Sequence, residues 1–157
     1  MLKQIPTLDG YEIAVAIPDA FGETRGDLGT PIDWILFQVN GDVLVRIFGV
    51  CTADLVGEAT LEVGVAGNTE KLIARTTATN ITENKIWSDA TPTLGVDTLA
   101  SVLGPYLIVN GADIIETFED ASITEGNIYY ICLWKAITPG SNVIGLPITE
   151  GADIRGY

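Results

Sequence analysis

The sequence predicts an all-β domain: an antiparallel β-sandwich or jelly-roll-like barrel, with at most one or two short helices and extended termini. Three observations carry that expectation. Val, Ile and Thr supply 48 of the 157 residues, and β-branched side chains are stiff at χ1 and sit well on a pleated surface. Seventeen Gly and seven Pro are scattered along the chain rather than clustered, which provides the turns that many short strands need. Apolar residues make up 47% and charged residues only 18%, a composition able to close a core and unlike that of a disordered chain. The length suits one domain.

Taken in order, residues 1–32 read as an N-terminal arm with one strand, Tyr11–Ile17, and an acidic surface loop over Asp19–Pro31. Residues 33–140 read as the sandwich core. Within it, Trp34–Val39 and Val43–Val50 flank Asn40-Gly41-Asp42, a strong hairpin signature because a type I′ turn needs positive φ at both central positions. Ala59–Val65 alternates as a half-buried strand. Asn68 stands where it can cap a short helix over Glu70–Thr77, burying Leu72 and Ile73. Lys85–Trp87 reads as a short strand, and Val96–Leu103 as one or two helical turns. Tyr106–Val109, Asn110-Gly111 and Ala112–Phe118 repeat the hairpin signature. Asn127–Lys135 is almost continuously apolar, as expected of a central strand covered on both faces. Residues 141–157 show no periodicity and read as an irregular C-terminal tail.

The chain carries 21 acidic and 8 basic side chains and no histidine, for a net charge of −13. So acidic a chain lacks the cations that displace phosphate counterions, which argues against a nucleic-acid partner. No apolar stretch reaches the roughly 18 residues of a membrane span, and no apolar signal region follows Met1, so neither a membrane partner nor secretion is expected. Without histidine, Ser/His and Cys/His nucleophilic catalysis has no base. Paired carboxylates are common enough here to arise by chance, and a solvated face is their default. No catalytic, cofactor-binding or metal-binding residue is therefore assigned, and the expectation is a protein that is not an enzyme.

Several motifs leave alternatives open. Asp19, Glu23 and Asp27 share one loop, and Glu116, Glu119, Asp120 and Glu125 surround another turn. Either set could be a solvated loop or a calcium site, although neither has EF-hand spacing. Cys51 and Cys132 read as buried free thiols or as a disulfide joining two sheets. Arg25-Gly26-Asp27 spells a cell-adhesion tripeptide, short enough to recur by chance, and Asn80-Ile81-Thr82 fits an N-glycosylation acceptor that is expected to be silent without a secretory signal. Gly64-Val65-Ala66-Gly67 follows a strand without the rest of a phosphate-loop motif. Trp34, Trp87 and Trp134 lie in apolar runs and read as packing residues rather than a sugar-stacking platform.

Glu62–Thr69, Leu72–Ala78 and Ile86-Trp87 with Asp89–Pro92 form one set of familiar segments. Val109–Ile115, Thr124–Ile128, and Leu133–Lys135 followed by Pro139-Gly140 and Asn142-Val143 form another. Together they resemble a small β-domain family encoded among the structural genes of tailed bacteriophages, over roughly residues 43–144. The resemblance implies a virion component of the capsid decoration (cement) type, with the major capsid protein and further copies of itself, as a homotrimer, for partners. Tail or head-fibre membership is the nearest alternative, and a calcium-dependent β-sandwich module binding host-surface glycan is the next. On that reading the protein is made in the host cytoplasm and ends on the outer surface of the capsid, where its acidity faces away from packaged DNA. Lacking histidine, it has no side chain with an unperturbed pKa between pH 5 and 8, so attachment should vary little over that range.

Overall fold

The computed structural model of the protein describes residues 10–22, 25–29, 33–94 and 105–146. They form two antiparallel sheets packed face to face, with no closed barrel and no α-helix among the described residues. The strands are β1 (Glu12–Ala16), β2 (Asp33–Asn40), β3 (Val43–Val56), β4 (Thr60–Val65), β5 (Asn68–Thr77) and β6 (Lys85–Trp87). They continue as β7 (Thr93–Leu94), β8 (Tyr106–Ile108), β9 (Ile114–Glu119), β10 (Glu125–Ala136) and β11 (Asn142–Gly145). The first sheet runs β1-β10-β3-β6-β7, with β8 sharing the β3 edge, and the second runs β11-β2-β9-β4-β5.

Within these sheets the orders β1-β10-β3-β6 and β2-β9-β4-β5 are those of a jelly roll, in which the chain shuttles between layers. Among the described strands, only β4–β5 and β6–β7 are consecutive in the chain and neighbours within a sheet. The predicted hairpin at Asn40-Gly41 is therefore corrected: β2 lies in the second sheet and β3 in the first. Gly41 has φ +76°, but Asn40 is not in the left-handed region, so this is no type I′ turn. Asn110 and Gly111 do have positive φ (60° and 71°), yet they too carry the chain between sheets, from β8 to β9. Crossing sets Leu36, Phe37 and Val39 in the layer opposite Val43, Val45 and Ile47, and all six are buried in the core.

The helix predicted over Glu70–Thr77 is strand β5 instead, paired with β4 from Thr60↔Thr77 to Val65↔Asn68. An extra residue between Ile73 and Thr76, opposite Leu61–Val63, breaks the two-residue period. The buried positions Leu72, Ile73 and Thr76 then fall at helix-like spacing. A single 3₁₀ turn, Ala78–Asn80, follows. The helical turns predicted for Val96–Leu103 lie outside the described residues.

Both flanks enter the sheets. β1 pairs with β10 over five residues, Glu12↔Trp134 to Ala16↔Tyr130. The tail predicted to be irregular from residue 141 supplies β11, which pairs with β2 from Asn142↔Asn40 to Gly145↔Phe37. The strand read as half-buried, β4, is buried on both sides, since Glu62 and Gly64 are as inaccessible as Leu61 and Val63. β10 is central, as expected, between β1 and β3. Its inward Ile128, Tyr130 and Cys132 are fully buried; of the outward residues Leu133 is buried too, while Tyr129 and Ile131 stay partly exposed, so the outward face is covered only in part. No helix among the described residues is long and apolar enough to cross a membrane.

Candidate functional site

The densest group of chemically capable side chains lies between the sheets, near the turn from β9 to β10. Alternation along β9 points Ile114, Glu116 and Phe118 inward together, and all three are fully buried. A carboxylate in that position requires a cation, because an unpaired buried charge is very costly. Arg25 supplies it from the N-terminal loop: Nε donates to Glu116 Oε1 at 3.0 Å and Nη2 to Oε2 at 2.6 Å. This is the bidentate geometry that suits guanidinium and carboxylate best. Nη1 donates to the Asp19 carbonyl, and the guanidinium carbon lies 3.8 Å from the Phe21 ring centroid. Tyr130, from β10, donates its hydroxyl to Glu116 Oε2. Burial, and then the neighbouring Glu116 charge, hold the Tyr130 phenol well above its usual pKa. The Trp87 ring stands 6.2 Å from that of Tyr130, and its indole Nε1 donates to Thr76 Oγ1 at 2.8 Å.

Backbone bonds seat the loop that delivers Arg25: Phe21 N to Gly126 O at 2.9 Å, and Ile123 N to Gly26 O at 2.8 Å. Gly26 sits at φ +115°, where a Cβ would lie 2.2 Å from the Ile123 carbonyl oxygen, so only glycine fits. The loop read as acidic and solvated is thus pinned inward. Arg25, Glu116 and Tyr130 are all sealed from solvent, so no external substrate can touch them, and the cluster acts as a clasp. The adhesion reading of Arg25-Gly26-Asp27 fails for the same reason, since its arginine is inside the fold.

The second cluster lies on the outward face of the second sheet. Glu62 accepts from Arg75 Nε at 2.6 Å and from the Thr69 hydroxyl, while Arg75 Nη2 reaches Glu119 Oε1 at 3.0 Å. The hydrogen bond that Arg75 donates to Glu62, then the Glu62 charge, raises the Arg75 pKa above its usual value. Beside them Thr117 Oγ1 donates to Asp33 Oδ1 at 2.9 Å.

These contacts disperse the acids proposed as calcium ligands. Glu116 points inward to Arg25, Glu119 pairs with Arg75, Asp120 accepts from Thr60 at 3.4 Å, and Glu125 is exposed elsewhere. Asp27 Oδ1 accepts from Gly29 N at 2.9 Å, Asp19 engages Arg25 through its backbone, and Glu23 lies outside the described residues. No three acidic or cysteine side chains converge on a cation position among the described residues.

Cys51 and Cys132 are buried free thiols in adjacent strands of the same sheet, so the disulfide between sheets is excluded. Their partners in register are Ile128 and Ile47 rather than each other. Burial pushes the Cys51 thiol from its usual 9.0 to about 11, and raises Cys132 further. Trp87 is a core residue, and Trp34 and Trp134 pack partly buried against the core, as expected of packing residues. An apolar cleft of about 280 Å³ opens beside β5 and β8, lined by Val65, Leu72, Tyr106 and Ile108 among others. A shallower one of about 300 Å³ borders Gly22 and Ser122–Thr124.

Sequence reasoning missed the clasp. Its one local signal was Glu116 at an inward position between Ile114 and Phe118 in an apolar strand; nothing local ties it to Arg25, 91 residues away. No family model, curated protein or solved structure matches the chain.

Proposed function

We propose that the protein is a tailed-bacteriophage virion component, a capsid decoration protein that binds the major capsid protein on the outer face of the shell and stabilises the lattice. The resemblance over residues 43–144 supports this reading. The observation that carries it is the use made of buried charge. Arg25, Glu116, Tyr130 and Glu62 are all engaged in holding the chain to itself, which suits a mechanical element. A jelly roll is among the folds that build viral shells, though the fold alone defines no function. The net charge of −13 favours a position outside the shell, away from packaged DNA. Function on this reading comes from interface area between this chain, its copies and the capsid.

The test is rebinding. Purified protein should co-sediment saturably with capsids stripped of it and raise the temperature at which they release DNA. Absence of capsid binding, together with glycan binding that EDTA abolishes, would replace this reading by the sugar-binding module.

A further inference from the structure

We propose that the outward face of the first sheet is a contact between two copies of this chain. They pack with strands antiparallel, so that the Arg46–Lys135 end of one copy lies over the Asp54–Glu125 end of the other. Strand register defines the face. Ile13 and Val15 of β1 lie beside Leu133 and Ile131 of β10, which lie beside Arg46 and Phe48 of β3. Tyr129 pairs with Val50, Val50 with Ile86, and Leu44 with Leu107, extending the same surface. Ile13, Val15 and Leu107 are 56%, 43% and 58% exposed, and Ile17, just beyond β1, is 68% exposed.

The chain has 21 acids, yet no carboxylate occupies an outward position from Ile13 to Val15, Leu44 to Thr52, or Tyr129 to Lys135. Depletion of charge around aromatic and aliphatic side chains, with arginine retained, is the composition of an interface core. In a chain that repels its own copies elsewhere, this is the face across which repulsion is least. A stable contact needs about 600 Å² or more from each copy, about 1,200 Å² for a pair, and the face that spans β1, β10, β3, β6 and β8 is the broadest apolar one the first sheet offers.

Charge sets the direction. Arg46 and Lys135 both lie over the Tyr11 ring, 5.2 Å and 5.3 Å from its centroid, at one end of the sheet. Arg46 Nε is buried and has no acceptor among the described residues, so it is the outer guanidinium charge, not Nε, that faces the partner. At the opposite end of β3 and β10, Asp54, Glu83 and Glu125 are exposed. Parallel stacking would set cation over cation; a two-fold axis across the strands sets cation over acid twice. The contact is therefore two-fold, where the resemblance implies a trimer.

The full chain, free of any particle, provides the test, so the outcome is separate from capsid binding. Native mass spectrometry and sedimentation should find twice the chain mass. Val15→Asp and Ile131→Asp should each weaken pairing by about 100-fold with an unchanged far-ultraviolet spectrum, since each buries an unpaired charge. Lys135→Glu and Glu125→Lys should each weaken it about tenfold, and the double variant, which exchanges the two charges, should restore it. A folding defect would not be rescued in that way. A monomer at all concentrations, a trimer, pairing indifferent to Ile131→Asp, or a double variant that fails to recover would each overturn the proposal.

Discussion

The two outward faces of this sandwich follow opposite rules. On the second sheet, Glu62, Arg75, Glu119, Thr117 and Asp33 bond to one another, so its polar groups are satisfied within the chain. On the first, Ile13, Val15, Leu133, Ile131 and Phe48 adjoin with no carboxylate among them. Ile35 and Ile144 are exposed on the second sheet as well, so the difference lies in the carboxylates, which only the first face lacks. Burial patterns say which way a strand faces; the residues at its outward positions say what that face is suited to meet.

The sharpest way to weigh these rules is to begin between the sheets. Glu116→Ala leaves Arg25 charged and sealed, and should lower unfolding free energy by about 3–5 kcal/mol in urea titration. Glu62→Ala on the second sheet's outward face should cost less, about 1–3 kcal/mol. Arg75 is 42% exposed and keeps Glu119, so its charge turns to water. If the two losses are equal, the outward network is as sealed as the clasp, and the contrast between the faces weakens.

Thiol ionisation probes the inward side of the first sheet. Below about pH 9 both folded and unfolded chains hold the Cys51 proton. Above it the unfolded chain releases its proton first, so stability falls with rising pH until the folded thiol ionises near pH 11. Cys132 and Tyr130, raised in the same direction, deepen the fall. The melting temperature should therefore drop between pH 9 and 11, less steeply in Cys51→Ala, and neither thiol should react with a disulfide reagent at pH 8 while the fold is intact. The smallest effect belongs to Val15→Ser on the apolar outward face. Unfolding of the single chain should shift by no more than about 0.5 kcal/mol, while self-association weakens, though less than in Val15→Asp. A larger loss of stability would mean the face already supports its own fold.

Much of the fold was legible locally. β1, β4, β6 and β10 stand close to where alternation and apolar runs place them, because side-chain period is a property of the strand itself. β5 was not legible, because its bulge puts Leu72, Ile73 and Thr76 at helical spacing. Nor were the two Asn-Gly turns. Gly41, Asn110 and Gly111 take the positive φ that the motif anticipates, but a turn does not say whether the next strand joins the same sheet or the opposite one. β11 was hidden in a segment without periodicity, since its short strand is specified by the free edge of β2.

By itself the sequence determined the β class, the acidity, the absence of histidine and the positions of most strands, all of which follow from side-chain chemistry and near neighbours. Tertiary structure alone decided that the chain shuttles between sheets, that Arg25 closes on Glu116, and that the two outward faces differ. Each depends on contacts between residues distant in sequence. Which side of a strand becomes a face, and which charge finds a partner, is settled only when strands pair and layers close.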